Sequence, residues 1–275
     1  MKNSSFKNII THSAVAAALA IAVIASSVLA QSTKIDSNTP INDLKTLASK
    51  GNADAMLEFG ERLVQGQGVD TNATEGLQWI QKAADAGKVS AWYDLGMMYS
   101  NGMGVTTDMT KAMKYYRTGA EKGNSDCQAS LGLFYQAGER IPGGVKEDPA
   151  EAAKWYRMAA DQNHTEAMYH LAQLYLWGQG VKQDNAEAAK WFRKASDLGS
   201  ADAQWNLGKC YQAGKGVTKD KVQAYALWVA AIDGAENPDQ KKGMSELLDT
   251  LGKEMTSEQV AQGQGLSKEW IAKRK

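Results

Sequence analysis

The chain has few cysteines and no excess of one charge. Its 275 residues include two cysteines, Cys127 and Cys210, and four prolines. Two cysteines cannot form the disulfide framework of a small cysteine-rich secreted domain, so packing must hold the fold together. Lys and Arg total 31, as do Asp and Glu. Without a basic excess the chain lacks the charge pattern of a nucleic-acid-binding protein, and we expect no nucleic-acid partner.

Long apolar runs are absent after residue 30. Lys2 and Lys7 precede an apolar run over residues 14–28 that two serines interrupt. This run is shorter than the roughly 18 to 20 residues of a membrane-spanning helix, and Ala30 offers the small side chain of a cleavage site. We therefore predict a cleaved signal peptide at residues 1–30, with a retained anchor as the alternative. The mature chain would be periplasmic or secreted, without a stable membrane anchor.

Histidine is scarce too, since only His164 and His170 follow residue 30. They are six residues apart with no third ligand nearby, so we expect surface or edge residues and no metal site. No glycine turn continues into a phosphate-binding loop, and no Ser, Cys or His group shows the spacing of a nucleophile with its base. The sequence thus predicts no cofactor and no catalytic activity.

What the sequence does contain is an internal repeat. A G-x-G-V turn recurs, with steps of 36 residues within each pair of copies, at Gly66, Gly102, Gly178 and Gly214. A fifth copy starts at Gly138 and contains a four-residue insertion, Glu139, Arg140, Ile141 and Pro142. Insertions in repeat proteins map to loops that often carry contacts, although neutral drift in loop length explains this one equally well.

A helix, here called helix A, precedes each turn. It carries a small residue, a large apolar residue four positions on, a Gly or Ala next, and another large residue three positions later, which is the spacing of one helix face. The four columns are Ala55, Ala91, Cys127, Ala167, Ala203; Phe59, Leu95, Leu131, Leu171, Leu207; Gly60, Gly96, Gly132, Ala172, Gly208; and Leu63, Tyr99, Tyr135, Tyr175, Tyr211. Since Cys127 replaces an alanine and Cys210 an apolar residue of its own column, we expect buried free thiols.

A second helix, helix B, follows each turn. An Asn or Asp precedes it, with Glu or Gln three residues later in four of five copies, which is the pattern of a capping box. The cap column is Asn72, Asp108, Asp148, Asp184, Asp220. We predict that helix B buries its alanines and the column Trp79, Tyr115, Trp155, Trp191. Gly87, Gly123 and Gly199 would end it as left-handed C-caps.

These patterns divide the mature chain. Residues 31–52 read as a linker and an N-terminal half-repeat. Five repeats follow at 53–88, 89–124, 125–164, 165–200 and 201–236, and 237–275 form C-terminal capping helices with Leu247, Leu248 and Leu251 facing inward. Because one helix pair cannot bury its apolar faces alone, the pairs must stack.

The combined motifs A-x-x-x-L-G-x-x-Y, G-x-G-V-x-x-D and A-x-x-W-[YF]-x-x-A-A resemble the Sel-one-like repeat family, which is related to the tetratricopeptide repeats. The resemblance implies an all-α, right-handed α/α superhelical solenoid of about five 36-residue repeats. It also implies an adaptor of the periplasm or cell exterior that binds a protein or peptide partner. Met255 to Trp270 is similar to the closing helix of bacterial members.

The resemblance also implies a binding surface. In the tetratricopeptide relatives, helix A residues three before the conserved Gly, and one, four and five after it, face a concave groove. The matching positions here are Leu57, Tyr93, Ala129, Tyr169, Trp205; Glu61, Met97, Leu133, Gln173, Lys209; and Val64, Leu176, Trp177. Aromatic and apolar side chains with polar neighbours suit capture of a peptide. For Tyr93 and Tyr169, plain packing is an equal alternative.

Two other functions stay open at this point. One is an immunity-type neutraliser of a secreted toxin. The other is a hydrolase, because a cysteine-rich branch of the family is linked to penicillin binding and β-lactamase activity; that branch has a cysteine pair in every repeat, whereas Cys127 and Cys210 are each alone in their copies. The sequence does not predict an oligomeric state.

Overall fold

The structure is a computed structural model in which residues 35–273 are described. Over that range it contains thirteen α-helices, one short 3-10 helix and no strand. The helices are α1 (Ile41–Ser49), α2 (Ala53–Gln65), α3 (Ala73–Asp85), α4 (Ala91–Asn101), α5 (Met109–Glu121), α6 (Ser125–Ala137), α7 (Pro149–Ala160), α8 (Thr165–Trp177), α9 (Asn185–Asp197), α10 (Ala201–Ala213), α11 (Lys221–Asp233), α12 (Pro238–Lys253) and α13 (Ser257–Ala272). The predicted all-α solenoid is confirmed.

The predicted signal peptide, residues 1–30, lies outside the described residues. In the part of the chain that is described, no helix combines the length and the apolar character of a membrane span.

Helices α2, α4, α6, α8 and α10 are the five helices A, and α3, α5, α7, α9 and α11 are the five helices B.

The helices form two compact units that divide after Asp108. In unit 1, α1 packs on α2, α2 on α3 and α3 on α4. Leu44 of α1 is buried together with Phe59 and Leu63 of α2. Arg62, which is also buried, donates to the carbonyls of Thr39 (2.7 Å) and Asp36 (3.0 Å) and thereby fixes the segment before α1.

In unit 2, consecutive helices from α5 to α12 pack against each other, and α13 packs on α11. Arg117, Arg157 and Arg193 of the helices B donate to the hydroxyls of Tyr135, Tyr175 and Tyr211 on the following helices A. Arg157 also lies over the Trp191 ring of the next helix B, and Arg193 lies over Trp270 of α13 in the same way. Trp270 thus takes the place of the tryptophan that a sixth repeat would supply.

The small-residue column of helix A is where the two helices of a repeat approach most closely. A Cβ on Gly132 would lie 2.5 Å from the Tyr156 ring, and one on Gly208 would lie 2.5 Å from the Trp228 ring. The predicted alanine columns are buried as well, and both cysteines are buried as predicted.

The predicted aromatic column of helix B needs a correction. Trp79, Tyr115 and Trp155 are only half-buried, although Trp191 is buried. The deeply buried column is the next residue along the chain: Ile80, Tyr116, Tyr156, Phe192 and Trp228. The half-buried Trp79 and the buried Trp191 donate their indole N–H to the carboxylates of Glu75 and Glu187.

The capping prediction holds in part. Asn72, Asp148, Asp184 and Asp220 each accept a hydrogen bond from the backbone N–H three residues later. Their own backbone N–H groups donate to carbonyls at the fourth column of helix A, for example Asp184 to Tyr175 (3.0 Å). That bond closes the turn and uses the backbone N–H that a full capping box would pair with the Glu or Gln side chain. A full capping box, with both hydrogen bonds, forms at Thr256 and Gln259.

The second glycine of the turn packs on the N-terminus of the preceding helix B at Gly104, Gly180 and Gly216, whereas a Cβ on Gly68 would meet no atom within 4 Å. Gly216 has φ +73°, and a Cβ there would overlap the carbonyl oxygen of Asn185. In the copy with the insertion, Gly144 precedes Val145, as the second glycine precedes valine in the other turns. It is Gly143, however, that has the positive φ (+74°) and lies beside Met109. The inserted residues therefore shift the register by one position.

The prediction that three leucines of the C-terminal capping helices face inward was wrong at one of them. Leu251 is buried and Leu248 half-buried, but Leu247 is 50% exposed. Met244 of α12 is buried in addition.

One half-buried carboxyl group in unit 1 has an unusual proton affinity. Burial raises the pKa of Glu61 to about 7, and the negative charges of Asp94 and Glu58 add to the increase while Lys88 opposes it. Glu61 therefore binds a proton in the folded chain at a pH where an unfolded chain has released it.

We predict that Gly216→Ala lowers the free energy of unfolding by about 2 kcal/mol, because alanine would strain the left-handed backbone and collide with Asn185. Urea denaturation followed by circular dichroism measures the change. In Gly265→Ala the new Cβ meets no atom within 4 Å, and a helical alanine should leave stability equal or slightly higher. Equal destabilisation by both substitutions would contradict the packing assigned to Gly216.

We also predict a pH-dependent effect of Glu61→Gln. A raised folded-state pKa contributes stability below the unfolded pKa, near 4.5, and that stability is lost as the pH rises through about 7. The variant should match the natural chain at pH 5 and exceed its free energy of unfolding at pH 8 by about 1 kcal/mol, a figure reduced for partial exposure. Urea titrations at both pH values test this, with the exposed Glu236→Gln as control. A pH-independent difference would refute the assignment.

Candidate functional site

The predicted binding residues lie on helices A of both units. Tyr93 and Met97 lie half-buried on α4 of unit 1. In unit 2, Leu133 of α6 is 43% exposed. Leu57 of α2, in unit 1, and Ala129 of α6 belong to the predicted groove-facing columns but are buried. Those two positions belong to the packing and cannot contact a partner.

The centre of α8 is a network of polar and aromatic side chains. Gln173 donates from Nε2 to the Tyr169 hydroxyl (2.8 Å), and the Tyr169 ring packs against Phe192 with 6.0 Å between centroids. Burial raises the pKa of the Tyr169 hydroxyl, and the charge of Asp202 raises it further, while a hydrogen bond with Asn206 of α10 opposes the shift. Tyr169 therefore stays a neutral donor and acceptor between α8 and α10.

Trp205 of α10 has a mixed role. Its ring lies 4.7 Å from that of Trp228, whose indole N–H donates to the Trp205 carbonyl (3.0 Å). Lys209 places its ammonium 5.4 Å from the Trp205 ring centroid. Trp205 is thus anchored by packing and in turn positions Lys209.

Three of the predicted residues meet in one groove, here called the tryptophan groove, near the C-terminal ends of α8 and α10. Its volume is about 420 Å³, and Leu176, Trp177 and Lys209 line it. Trp177 is 66% exposed, the most exposed large apolar side chain among the described residues. Gln212 and Ala213, four and five residues after Gly208, also line the groove, as do side chains that the sequence did not indicate, namely Gln183, Asn185, Asn206, Cys210 and Lys215.

A second groove, here called the tyrosine groove, lies near the N-terminal ends of the same two helices. Its volume is about 660 Å³, and Glu166, Tyr169, His170, Leu198 and Asp202 are among its lining residues. Of these, only Tyr169 was predicted. Glu166 and Asp202 stand in the first turns of α8 and α10, where negative charge is favourable.

The two histidines differ from the expectation of surface or edge residues. Their side chains are only 17% (His164) and 20% (His170) exposed. His164 caps α8, since Nδ1 accepts from the backbone N–H of Ala167. His170 stacks on Tyr156 with 5.1 Å between centroids, and burial lowers its pKa although Glu166 opposes the shift. Both have structural roles that residue spacing did not reveal.

The insertion folds on itself. Glu139 and Arg140 belong to the 3-10 helix Gly138–Arg140. Arg140 donates to the carbonyls of Ala137 (2.9 Å) and Gln136 (2.5 Å) and lies 3.7 Å from Glu147. Ile141 is half-buried and Pro142 exposed. Because these polar contacts of Arg140 lie within the loop and the adjoining helix end, they account for the shape of the loop without a bound partner protein.

The described residues also bear on catalysis. Between residues 35 and 273, no three or more His, Cys, Asp or Glu side chains are arranged to hold a metal ion. Burial raises the pKa of the Cys210 thiol, only partly offset by Lys215, so the thiol is not activated as a nucleophile. What the site offers is shape, apolar surface and hydrogen-bonding groups.

Comparison with known proteins identifies similar chains. The Sel1 repeat model matches residues 53–88, 89–124, 125–164, 165–200 and 201–235. A Sel1 repeat protein from Oxalobacter formigenes is 28% identical, with 83% of this chain and 92% of that chain covered and a TM-score of 0.68. No curated protein matches the chain.

Two further solved structures are similar. The protein c5321, a protective antigen of uropathogenic Escherichia coli strains with an SLR fold, is 27% identical, with 85% of this chain and 56% of that chain covered and a TM-score of 0.55. Immunity protein Pa5087 from Pseudomonas aeruginosa is 20% identical, with 81% and 80% covered, but its TM-score of 0.44 supports no argument about function.

The family model covers most of the described chain, in five consecutive copies that coincide with the helix pairs of the structure. The chain therefore belongs to the Sel1 repeat family.

Proposed function

We propose that this chain is a protein-interaction scaffold that holds a protein or peptide partner on the helix A face of unit 2. The Sel1 repeat fold is commonly such a scaffold. The observation that supports this site is the 66% exposed Trp177, which stands beside Leu176 and Lys209 in the tryptophan groove.

The position of Trp177 is unusual for its column. The equivalent residues of the other copies are Gln65, Asn101, Ala137 and Ala213, all small or polar. A tryptophan in water forgoes about 2 kcal/mol or more of burial free energy, and tryptophan is among the residues that dominate binding at interfaces. A partner that covers the indole would recover that free energy.

We also propose that the chain acts by binding a partner and not by catalysing a reaction. Cys127 and Cys210 are buried, and burial raises the pKa of the Cys210 thiol, which disfavours the hydrolase alternative. We further propose that the scaffold acts in the periplasm or at the cell exterior; the basic start and the short apolar run of residues 14–28 support export.

The test is capture of a partner from the envelope and exterior fractions of the source cells. We predict that the natural chain retains a specific protein and that Trp177→Ala combined with Lys209→Ala reduces its recovery at least tenfold, because both groove contacts are lost. Both side chains are exposed, so helical content should not change.

The matched control is Met158→Ala with Leu247→Ala. These apolar side chains are 45% and 50% exposed and lie on α7 and α12, outside both grooves. The control should retain the partner as the natural chain does. If the groove variant and the control capture the partner equally well, the site is wrong.

A further inference from the structure

The two grooves of unit 2 lie along the same helices and carry opposite charge. The tryptophan groove has Lys209 and Lys215 in its wall and no carboxylate. The tyrosine groove has Glu166 and Asp202 in its wall and no lysine or arginine. The helix A face between α8 and α10 is therefore positive at one end and negative at the other.

The positive end combines charge with apolar surface. Lys209 lies over the Trp205 ring, and neither Lys209 nor Lys215 forms an ion pair with another side chain of residues 35–273. The charge of Lys215 reaches the Cys210 thiol at the bottom of the groove. Two unneutralised ammonium groups beside Leu176 and Trp177 suit a carboxylate that adjoins an apolar side chain.

The negative end suits a cation. The Glu166 side chain is 71% exposed, and it faces His170, whose pKa burial lowers. Tyr169 adds an aromatic ring and a hydroxyl to the same groove. Carboxylates next to an aromatic ring are a common environment for a lysine or arginine side chain.

The distance between the two ends fits a short peptide. Glu166 and Leu176 are ten positions apart on α8, or about 15 Å along a helix. An extended chain advances about 3.3 Å per residue, so roughly four or five residues span the face. Between the ends, Tyr169, Gln173 and Asn206 supply hydrogen-bonding groups.

We propose, on the basis of the scaffold function above, that the face between α8 and α10 binds an extended segment of a partner protein with a defined charge order. The segment places an acidic residue next to an apolar one at the tryptophan groove and a basic residue four or five positions away at the tyrosine groove. The apolar side chain covers Trp177, and Lys209 and Lys215 hold the carboxylate.

The first experiment selects ligands from a display library of random dodecapeptides against the purified chain. Selected peptides should share an apolar residue adjacent to Asp or Glu, with Lys or Arg four or five positions away. The double variant K209E/K215E should no longer select the acidic residue.

The second experiment measures affinity for the most enriched peptide by fluorescence anisotropy. K209E/K215E should weaken binding at least tenfold, and added salt should weaken binding to the natural chain. The control K241E/K242E changes net charge equally on the exposed face of α12 and should bind within twofold of the natural chain. Circular dichroism checks that all variants are folded.

Three results would overturn the inference: selected peptides without the acidic residue, affinity unchanged in K209E/K215E, or no enrichment at all. A chain that self-associates through this face, shown by a dimer that K209E/K215E dissociates, would also overturn it. The scaffold function is judged separately, because loss of partner capture in the Trp177 and Lys209 variant does not depend on the charge order of a peptide.

Discussion

The close approach of helix A and helix B, seen in the first, third, fourth and fifth repeats, is the constraint on which the rest of the structure depends. It requires a small residue on helix A opposite a large one on helix B, as at Gly132 with Tyr156 and Gly208 with Trp228. Ala172 takes the same column where the helix B residue is Phe192. Because the large side chain fills the space that a Cβ would occupy, neither partner can change size alone.

That packing determines which side chains are free. The alanine columns, the cap residues and the second turn glycines Gly104, Gly180 and Gly216 are used in contacts within or between repeats. The arginine and tyrosine pairs link the helices B α5, α7 and α9 to the helices A that follow them. The exposed stripe of helix A is not needed for these contacts, so residues such as Trp177 and Lys209 can vary without loss of the fold. The surface proposed for partner binding is therefore one that the repeat packing leaves available.

The sequence predicted the elements that recur and missed those that depend on geometry between repeats. The cap aspartates and the buried columns of helix A have fixed spacing, and the structure places them as expected. Trp155 and Tyr156 are both large and lie one residue apart, so periodicity alone could not say which one is buried. Gly143 and Gly144 posed the same ambiguity in the inserted loop. Asn206 and Lys215 reach the tryptophan groove from α10 and the turn after it, a convergence that no local pattern records. His164 had a local signal, since it stands three residues before Ala167 at the position where Asn52, Asn124 and Ser200 also cap helices A.

The two charged ends of the α8 and α10 face have different origins. An acidic residue stands in the first turn of every helix A, at Asp54, Asp94, Asp126, Glu166 and Asp202, so the helix dipole explains its presence in each copy. The lysines have no such explanation. The column of Lys209 holds Glu61, Met97, Leu133 and Gln173 in the other copies, and the column of Lys215 holds Gln67, Met103 and Gln179. Since Trp177 is equally particular to its copy, the apolar and basic groups that define the tryptophan groove are additions to the repeat. Under the proposed function, selectivity for a partner would rest on the tryptophan groove, and the acidic end would contribute orientation.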